Sequence, residues 1–389
     1  MVVERTVRLR FGHASQTAGT HVNLSAVRDD GRVLWLAGDE TATIERLVAT
    51  SSDEYADDTT FPLTDLVDLP GDADEEADIE GLARAGPFLW AVGSHSLRRK
   101  QIKEKHDGPD AIERLAEVDG QANRQVLLRI PVEDVDGVPT LVRELEVGGD
   151  RQVAALLGGD GDDLREVLRE DAHLARFLPI PGKDNGLDVE GIAVIGDRVY
   201  VGLRGPVLRG WAVVLELRPH ADPDDPTRLR LSDFADGSPY RKHVLDLDGL
   251  GVRDLCPDGD DLLVLAGPSM DLDGPVRVYR WRRAAHTADS EVVRDDALAR
   301  VVDLPYGEGD DHAEGICLLA DAELLVVYDS PARKRLDGDS VTADVVRLPE
   351  THAVIAHDHE FEELRADHDQ PARPEEAIAD AARATPDPH

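Results

Sequence analysis

Only two cysteines, Cys256 and Cys317, occur among 389 residues, which excludes a disulfide framework and a cysteine-based zinc site. Aromatic residues make up 4% of the chain, so any core must rest on Val, Leu, Ile and Ala. No apolar run approaches the roughly 18 residues that a membrane-spanning helix needs, and the opening MVVERTVRLRFG does not have the form of an export signal. Lysine is scarce as well, with six residues in all. A reducing cytoplasm suits such a chain.

What is abundant is charge of one sign. Asp and Glu number 80 against 43 Lys and Arg, a formal net charge of -37. Self-repulsion of that size destabilises a compact state unless counter-ions screen it, and in molar salt the screening length is only about 3 Å. The composition predicts a halophilic protein of a salt-loaded cytoplasm. It argues against general nucleic-acid binding and against binding to an anionic membrane. A hydrophobic fraction of 41% still supports one packed domain over residues 1–356. Residues 357–389 lack apolar periodicity and read as an acidic, disordered tail.

A hairpin pattern recurs five times: an apolar run, a turn rich in Asp and Gly, and a second run with Val, Leu, Trp or Tyr. The copies are VNLSAVRDDGRVLWLAGDE from Val22, ADIEGLARAGPFLWAVGSH from Ala77, LDVEGIAVIGDRVYVGLRG from Leu187, LGVRDLCPDGDDLLVLAGPS from Leu250 and DHAEGICLLADAELLVVYDS from Asp311. Two further strand-like runs follow each hairpin, except that the last set lacks its fourth strand. RTVRLRFG, at residues 5–12, has the missing form. The pattern predicts an all-β, five-bladed β-propeller closed by its N-terminal strand. Six blades would require a further unit in the long connection between the second and third. A two-sheet sandwich would leave unexplained why the first strand looks like the missing last one. The fourth strand of the first unit is expected at FPLTDLVDLPG, residues 61–71. One inserted amphipathic helix is expected over 161–177, where Leu164, Val167, Leu168, Leu174 and Phe177 are spaced helically.

Aligning the hairpins puts Ser25, Glu80, Glu190, Arg253 and Glu314 in one column. The first strands of a propeller line its channel, so a column becomes a ring in which Glu80, Glu190 and Glu314 converge. Like charges that close raise one another's pKa unless a cation joins them. Oxygen-only ligands suit a hard ion, Ca²⁺ ahead of Mg²⁺. Alternatively, each Glu caps its own turn and the following Gly supplies backbone room. Three residues past the acids come Ala83, Ala193, Cys256 and Cys317, small side chains suited to packing where first strands crowd together.

The ends of the second strands fall on the same face as the starts of the first. There the sequence concentrates Arg98, Arg99, Arg204, Arg209 and Arg333 with five of the six lysines, a positive rim suited to drawing in an anion. The alternative is that these bases merely answer nearby acids. Arg204 suits bidentate phosphate or carboxylate binding, and His95, its counterpart in the second unit, suits a general base or a satisfied surface histidine.

The segments EGIAVIGDRVYVGLRGPVLRGWAVVLEL, GSHSLRRK and AEGICLL resemble the family known as domain of unknown function 3616, over about residues 20–350. More distantly, the Glu-Gly strand starts are similar to those of phytase-like esterase and gluconolactonase-type propellers, which implies a channel-facing carboxylate that holds a divalent ion. Ser25 and Arg253 depart from that pattern. The resulting expectation is a metal-dependent hydrolase of an anionic small molecule, most simply a phosphate ester. Glu80, Glu190 and Glu314 would hold the metal, His95 and Arg204 would be catalytic, and Arg98, Arg99, Arg204, Arg209 and Arg333 would bind the substrate. The alternative is a non-catalytic, monomeric propeller that binds a ligand or a protein partner through the same face.

Overall fold

Short apolar runs broken by Asp/Gly turns fold into antiparallel meanders in the computed structural model, which describes residues 3–103, 105–158, 163–270 and 272–349. Unit one is Leu24–Asp29, Val33–Gly38, Thr43–Ser51 and Glu54–Pro62. In unit two Ile79–Ala85, Phe88–Gly93 and Leu127–Val135 are followed by a split fourth strand, Val138–Leu141 and Ala155–Leu157. Unit three is Asp188–Ile195, Arg198–Leu208, Trp211–Leu217 and Tyr240–Leu245, and unit four is Gly251–Asp258, Asp261–Gly267, Val276–Trp281 and Leu298–Leu304. Unit five has His312–Leu318, Glu323–Asp329 and Ser340–Arg347, and its fourth strand is the N-terminal Val3–Arg10, antiparallel to Ser340–Arg347. The fold is all-β and propeller-like, and the N-terminal strand supplies the last strand as the sequence pattern predicts.

Adjacent units bury their faces against each other. The five hydrophobic clusters each draw on two neighbouring units, and the cluster holding Val7, Leu9 and Phe11 joins unit five to unit one. The first strands pack side by side in a cycle, each against the next and the last against the first. Small groups make this approach feasible. A Cβ on Gly81 would lie 2.9 Å from the Ile192 nitrogen, and one on Gly191 2.9 Å from the Asp254 Cα. The glycine of each Glu-Gly pair is therefore there for contact between neighbouring units.

Two sequence expectations need correction. The fourth strand of unit one is Glu54–Pro62, and the chain then turns into a short helix at Leu63–Leu66. The stretch 161–177 is not one helix. Asp163 accepts from the Glu166 amide at 2.9 Å and caps a single turn, Leu164–Val167. Asp171 then accepts from the amides of His173 and Leu174 at 2.8 and 2.9 Å, diverting the chain before a 3₁₀ turn at Ala175–Phe177. Leu164, Leu168 and Leu174 are buried all the same. A helix of nine residues, Gly108–Ala116, lies in the other insertion. Among the described residues no helix is long and apolar enough to cross a membrane. The tail expected at 357–389 lies outside the described residues.

Candidate functional site at the channel mouth

Every first strand carries a β-bulge at the same point of the repeat. The register slips between Leu24 and Ala26, Ile79 and Gly81, Val189 and Ile192, Val252 and Asp254, and Ala313 and Gly315. The residues left unpaired include Ser25, Glu80, Glu190, Arg253 and Glu314, the column read from the repeat. A bulge leaves the extra residue out of the ladder and re-aims its side chain. It is this shared irregularity, set where first strands meet, that turns the column into a cluster.

The cluster is not a ring of free carboxylates. Arg204 pairs with Glu190 at 2.7 Å and also bonds Asp188. Arg253 stands between two of the glutamates, 3.3 Å from Glu190 and bonded to Glu314, and donates to the Pro268 carbonyl at 3.1 Å. Arg124 bridges Asp78 and Glu76 at 2.7 and 2.8 Å. The Ser25 hydroxyl lies within hydrogen-bond reach of carbonyls on either side of it, Ala37 of its own unit and Ile79 of the next, with one proton to give. None of the three glutamates is bound to a turn amide among the described hydrogen bonds, so the turn-capping alternative does not describe them. The trio does not form one ligand set either, because a guanidinium lies between Glu190 and Glu314. Among the described residues no group of three or more His, Cys, Asp or Glu is arranged to hold a metal.

Acid outnumbers base here: Asp39, Asp78, Glu80, Asp188, Glu190 and Glu314 face the three guanidiniums of Arg124, Arg204 and Arg253. Burial pushes Glu190 up to about 8 despite Arg204 and Arg253. Burial also pushes Glu80 well above the usual carboxylate range, and Asp78, Glu190, Asp39 and Asp188 add to the effect. Asp39 rises to about 7, through burial and then through Asp78, Asp329, Glu40 and Glu314, and its Oδ1 is buried without a hydrogen-bond partner. Among the described residues Glu80 and Asp39 have no ion pair within 4 Å. A small cavity of about 20 Å³ opens beside Arg253, His312 and Glu314, room for about one water.

Several of the predicted rim bases are paired with acids. Arg98 pairs with Glu76 at 3.2 Å and Arg99 with Asp184 at 2.7 Å. Lys100 bonds Glu117, and Lys334 lies 3.1 Å from Asp311. Arg204 is buried and committed to two carboxylates. Arg333 is exposed, and Arg209 is exposed in the turn after Arg198–Leu208. Arg98, Arg99, Lys100, Arg204 and Lys334 thus answer acids, whereas Arg209 and Arg333 stand exposed. His95 is neither a surface histidine nor a rim base. It is fully buried with φ 53°, its ring nitrogen Nδ1 lies 2.8 Å from the Gly93 carbonyl, and burial lowers its pKa to about 4. The carbonyl can only accept, so Nδ1 carries the proton and the ring is neutral at pH 7.

Arg28 is the residue the sequence reading passed over. Four units have Ala83, Ala193, Cys256 or Cys317 at its position, three past the bulge; unit one has an arginine. From unit one its buried guanidinium crosses the ring. It donates to Leu82 O of unit two at 2.6 Å, Ile316 O of unit five at 3.0 Å, and Leu255 O and Asp254 of unit four at 3.1 and 3.2 Å. Asp254 also accepts from the amides of Leu255 and Ile316 at 2.7 and 2.9 Å. The four small side chains leave room for one long one, and it closes the channel beneath the mouth. Cys256 and Cys317 are buried there as packing residues, their thiol pKa values pushed up by burial.

A family model described as "Protein of unknown function (DUF3616)" matches residues 23–344. No curated protein sequence matches the chain. Among solved structures, glutaminyl cyclase of Myxococcus xanthus is 9% identical, with 91% of this chain and 97% of that chain covered at a TM-score of 0.40. A PQQ-bound aldose sugar dehydrogenase from Streptomyces coelicolor is 12% identical, covering 88% and 99%, at 0.33. A streptogramin B lyase is 9% identical, covering 89% and 98%, at 0.34.

Proposed function

The chain belongs to the DUF3616 family, and on that premise we propose that it is a five-bladed propeller whose channel mouth is a non-catalytic recognition site for a cationic group. The observation that carries this reading is the pair Glu80 and Asp39, two acids that have no ion-pair partner among the described residues, in a mouth where carboxylates outnumber guanidiniums. A cation entering there relieves carboxylate repulsion and gives the buried Asp39 oxygen a partner. The bound group is a hydrated divalent ion, Ca²⁺ ahead of Mg²⁺ because the donors are all oxygen, or the ammonium or guanidinium of a small ligand or protein partner. Arg28 seals the channel below, so the ligand is held at the mouth and does not pass through.

Hydrolysis of a phosphate ester has less to support it. Three of the five bases assigned to the substrate, Arg98, Arg99 and Arg204, are tied to acids, and His95 is a buried, weakly basic imidazole. Thermal melts at fixed high KCl, with CaCl₂, MgCl₂ or spermidine added at constant ionic strength, test the proposal on wild type and Glu80→Gln. A rise in wild-type Tm that Glu80→Gln loses supports it, and the cation that acts identifies the class of ligand. Equal responses in the two proteins refute it. Metal-dependent turnover of a phosphate-ester panel would restore the hydrolase reading.

A further inference from the structure

The mouth is acidic, but an arginine-lined cavity exists at the other end of the same unit. In unit three the mouth end is marked by Asp188 opposite Gly205, and the opposite end by the hairpin where Ile195 faces Arg198. At that hairpin end a cavity of about 300 Å³ is lined by Asp197, Arg198, Arg218, Phe234, Ala235 and Arg241. Its place follows from the strand register: Arg241 pairs with Glu216 across the sheet, Glu216 with Tyr200, and Arg218 follows the last residue of Trp211–Leu217.

Three guanidiniums share few acids here. Arg218 pairs with Asp197 at 3.0 Å. Arg198 and Arg241 share one buried carboxylate, Glu216, at 3.1 and 3.6 Å, and Glu216 also engages His243 and Thr287. Asp236 feels the charge of Arg241, but its carboxylate is committed to the amide and hydroxyl of Ser238 at 3.0 and 3.2 Å. The Nε of Arg241 is buried, with no hydrogen-bond partner among the described residues. Phe234 fixes the geometry, with the guanidinium carbon of Arg241 4.2 Å and that of Arg218 5.9 Å from its ring centre. Guanidiniums locked over an aromatic face and around an open volume are arranged for planar, bidentate recognition of an oxyanion. The volume sits at the lower end of the range for small-molecule sites.

We propose that this cavity binds a small oxyanion, a phosphate or a carboxylate, between Arg218 and Arg241. The site is separate from the mouth, so its fate does not depend on the cation reading. Isothermal titration of the full chain with inorganic phosphate and with citrate, at ionic strength held constant with KCl, reads the binding. Arg218 is half-exposed, so Arg218→Gln should keep the fold, as circular dichroism will show. It should weaken binding about tenfold, the loss of one charge-assisted contact. Arg241→Lys, which keeps the charge but not the planar fork, should also bind more weakly, while Glu80→Gln should bind as wild type. Phosphate binding without citrate binding assigns the phosphoryl class, and the reverse assigns the carboxylate class. The absence of saturable heat with either anion, or equal binding by wild type and Arg218→Gln, overturns the proposal.

Discussion

Replacing Arg28 with methionine removes the charge that crosses the channel while keeping an unbranched side chain. The carbonyls of Leu82, Leu255 and Ile316 lose a donor, and the fully buried Asp254 keeps only two amides. Leaving a buried charge without its partner costs about 3–5 kcal/mol. Each stranded carbonyl costs about 1–3 kcal/mol in isolation, although relaxation and entering water keep such losses from adding. The expected loss is therefore about 4–5 kcal/mol, a large part of the roughly 5–15 kcal/mol that holds a domain folded. Equilibrium urea unfolding followed by circular dichroism at fixed salt should show a lower midpoint at unchanged slope. In Arg28→Met/Asp254→Asn the unpaired charge is gone and one of the two amides keeps an acceptor, the other facing the carboxamide NH2, so part of the loss should be recovered. If the single change costs under about 1 kcal/mol, the range of an exposed ion pair, or if the two changes simply add, Arg28 does not pin the ring.

Stability should depend on pH through the mouth. Asp39 is raised from 3.8 to about 7 by burial first and then by neighbouring carboxylates, so the folded state holds its proton more tightly than the unfolded chain. Its contribution is intact below the unfolded pKa and is lost as pH rises through the folded one, so wild type should weaken between about pH 4 and 7. Urea midpoints across that range should fall less steeply in Asp39→Asn, with Glu190 sustaining the remaining slope; unchanged slopes would place Asp39 in contact with water. Deleting residues 1–12 removes the last strand and with it Val7, Leu9 and Phe11, which are at most 2% exposed. At about 1.5–3 kcal/mol for each buried side chain the loss is about 5–9 kcal/mol. The truncated chain should lose its cooperative melt, and a native-like melt would show that closure by this strand is dispensable.

Most of the strand order could be read from the sequence because each hairpin is a local object. Its apolar alternation, its Asp/Gly turn and its length all sit within twenty residues, and the orphan strand at the N-terminus completed the series. The misreadings have local causes too. FPLTDL alternates well enough for a strand, yet Glu54–Pro62 had already filled the edge of unit one. Leu164 to Phe177 keeps helical spacing, but Asp171 breaks the run by capping a new turn.

The chain by itself determined which residues share a ring, since a repeat puts equivalent positions at equivalent places around an axis. It could not determine which of them would pair. Glu190 meets Arg253, and Arg28 meets Asp254, across boundaries between units that are far apart in sequence. Their distances depend on how bulged first strands pack around a closed circle, with glycines setting the approach. The signal for Arg28 was nevertheless present as the one large residue in a column of small ones. The tertiary structure reversed the electrostatics of the mouth, because burial and pairing, unlike net composition, decide which charges remain uncompensated. Among the described residues Glu80 and Asp39 are left without an ion-pair partner, while Arg98, Arg99 and Arg204, expected at the rim, are paired with acids.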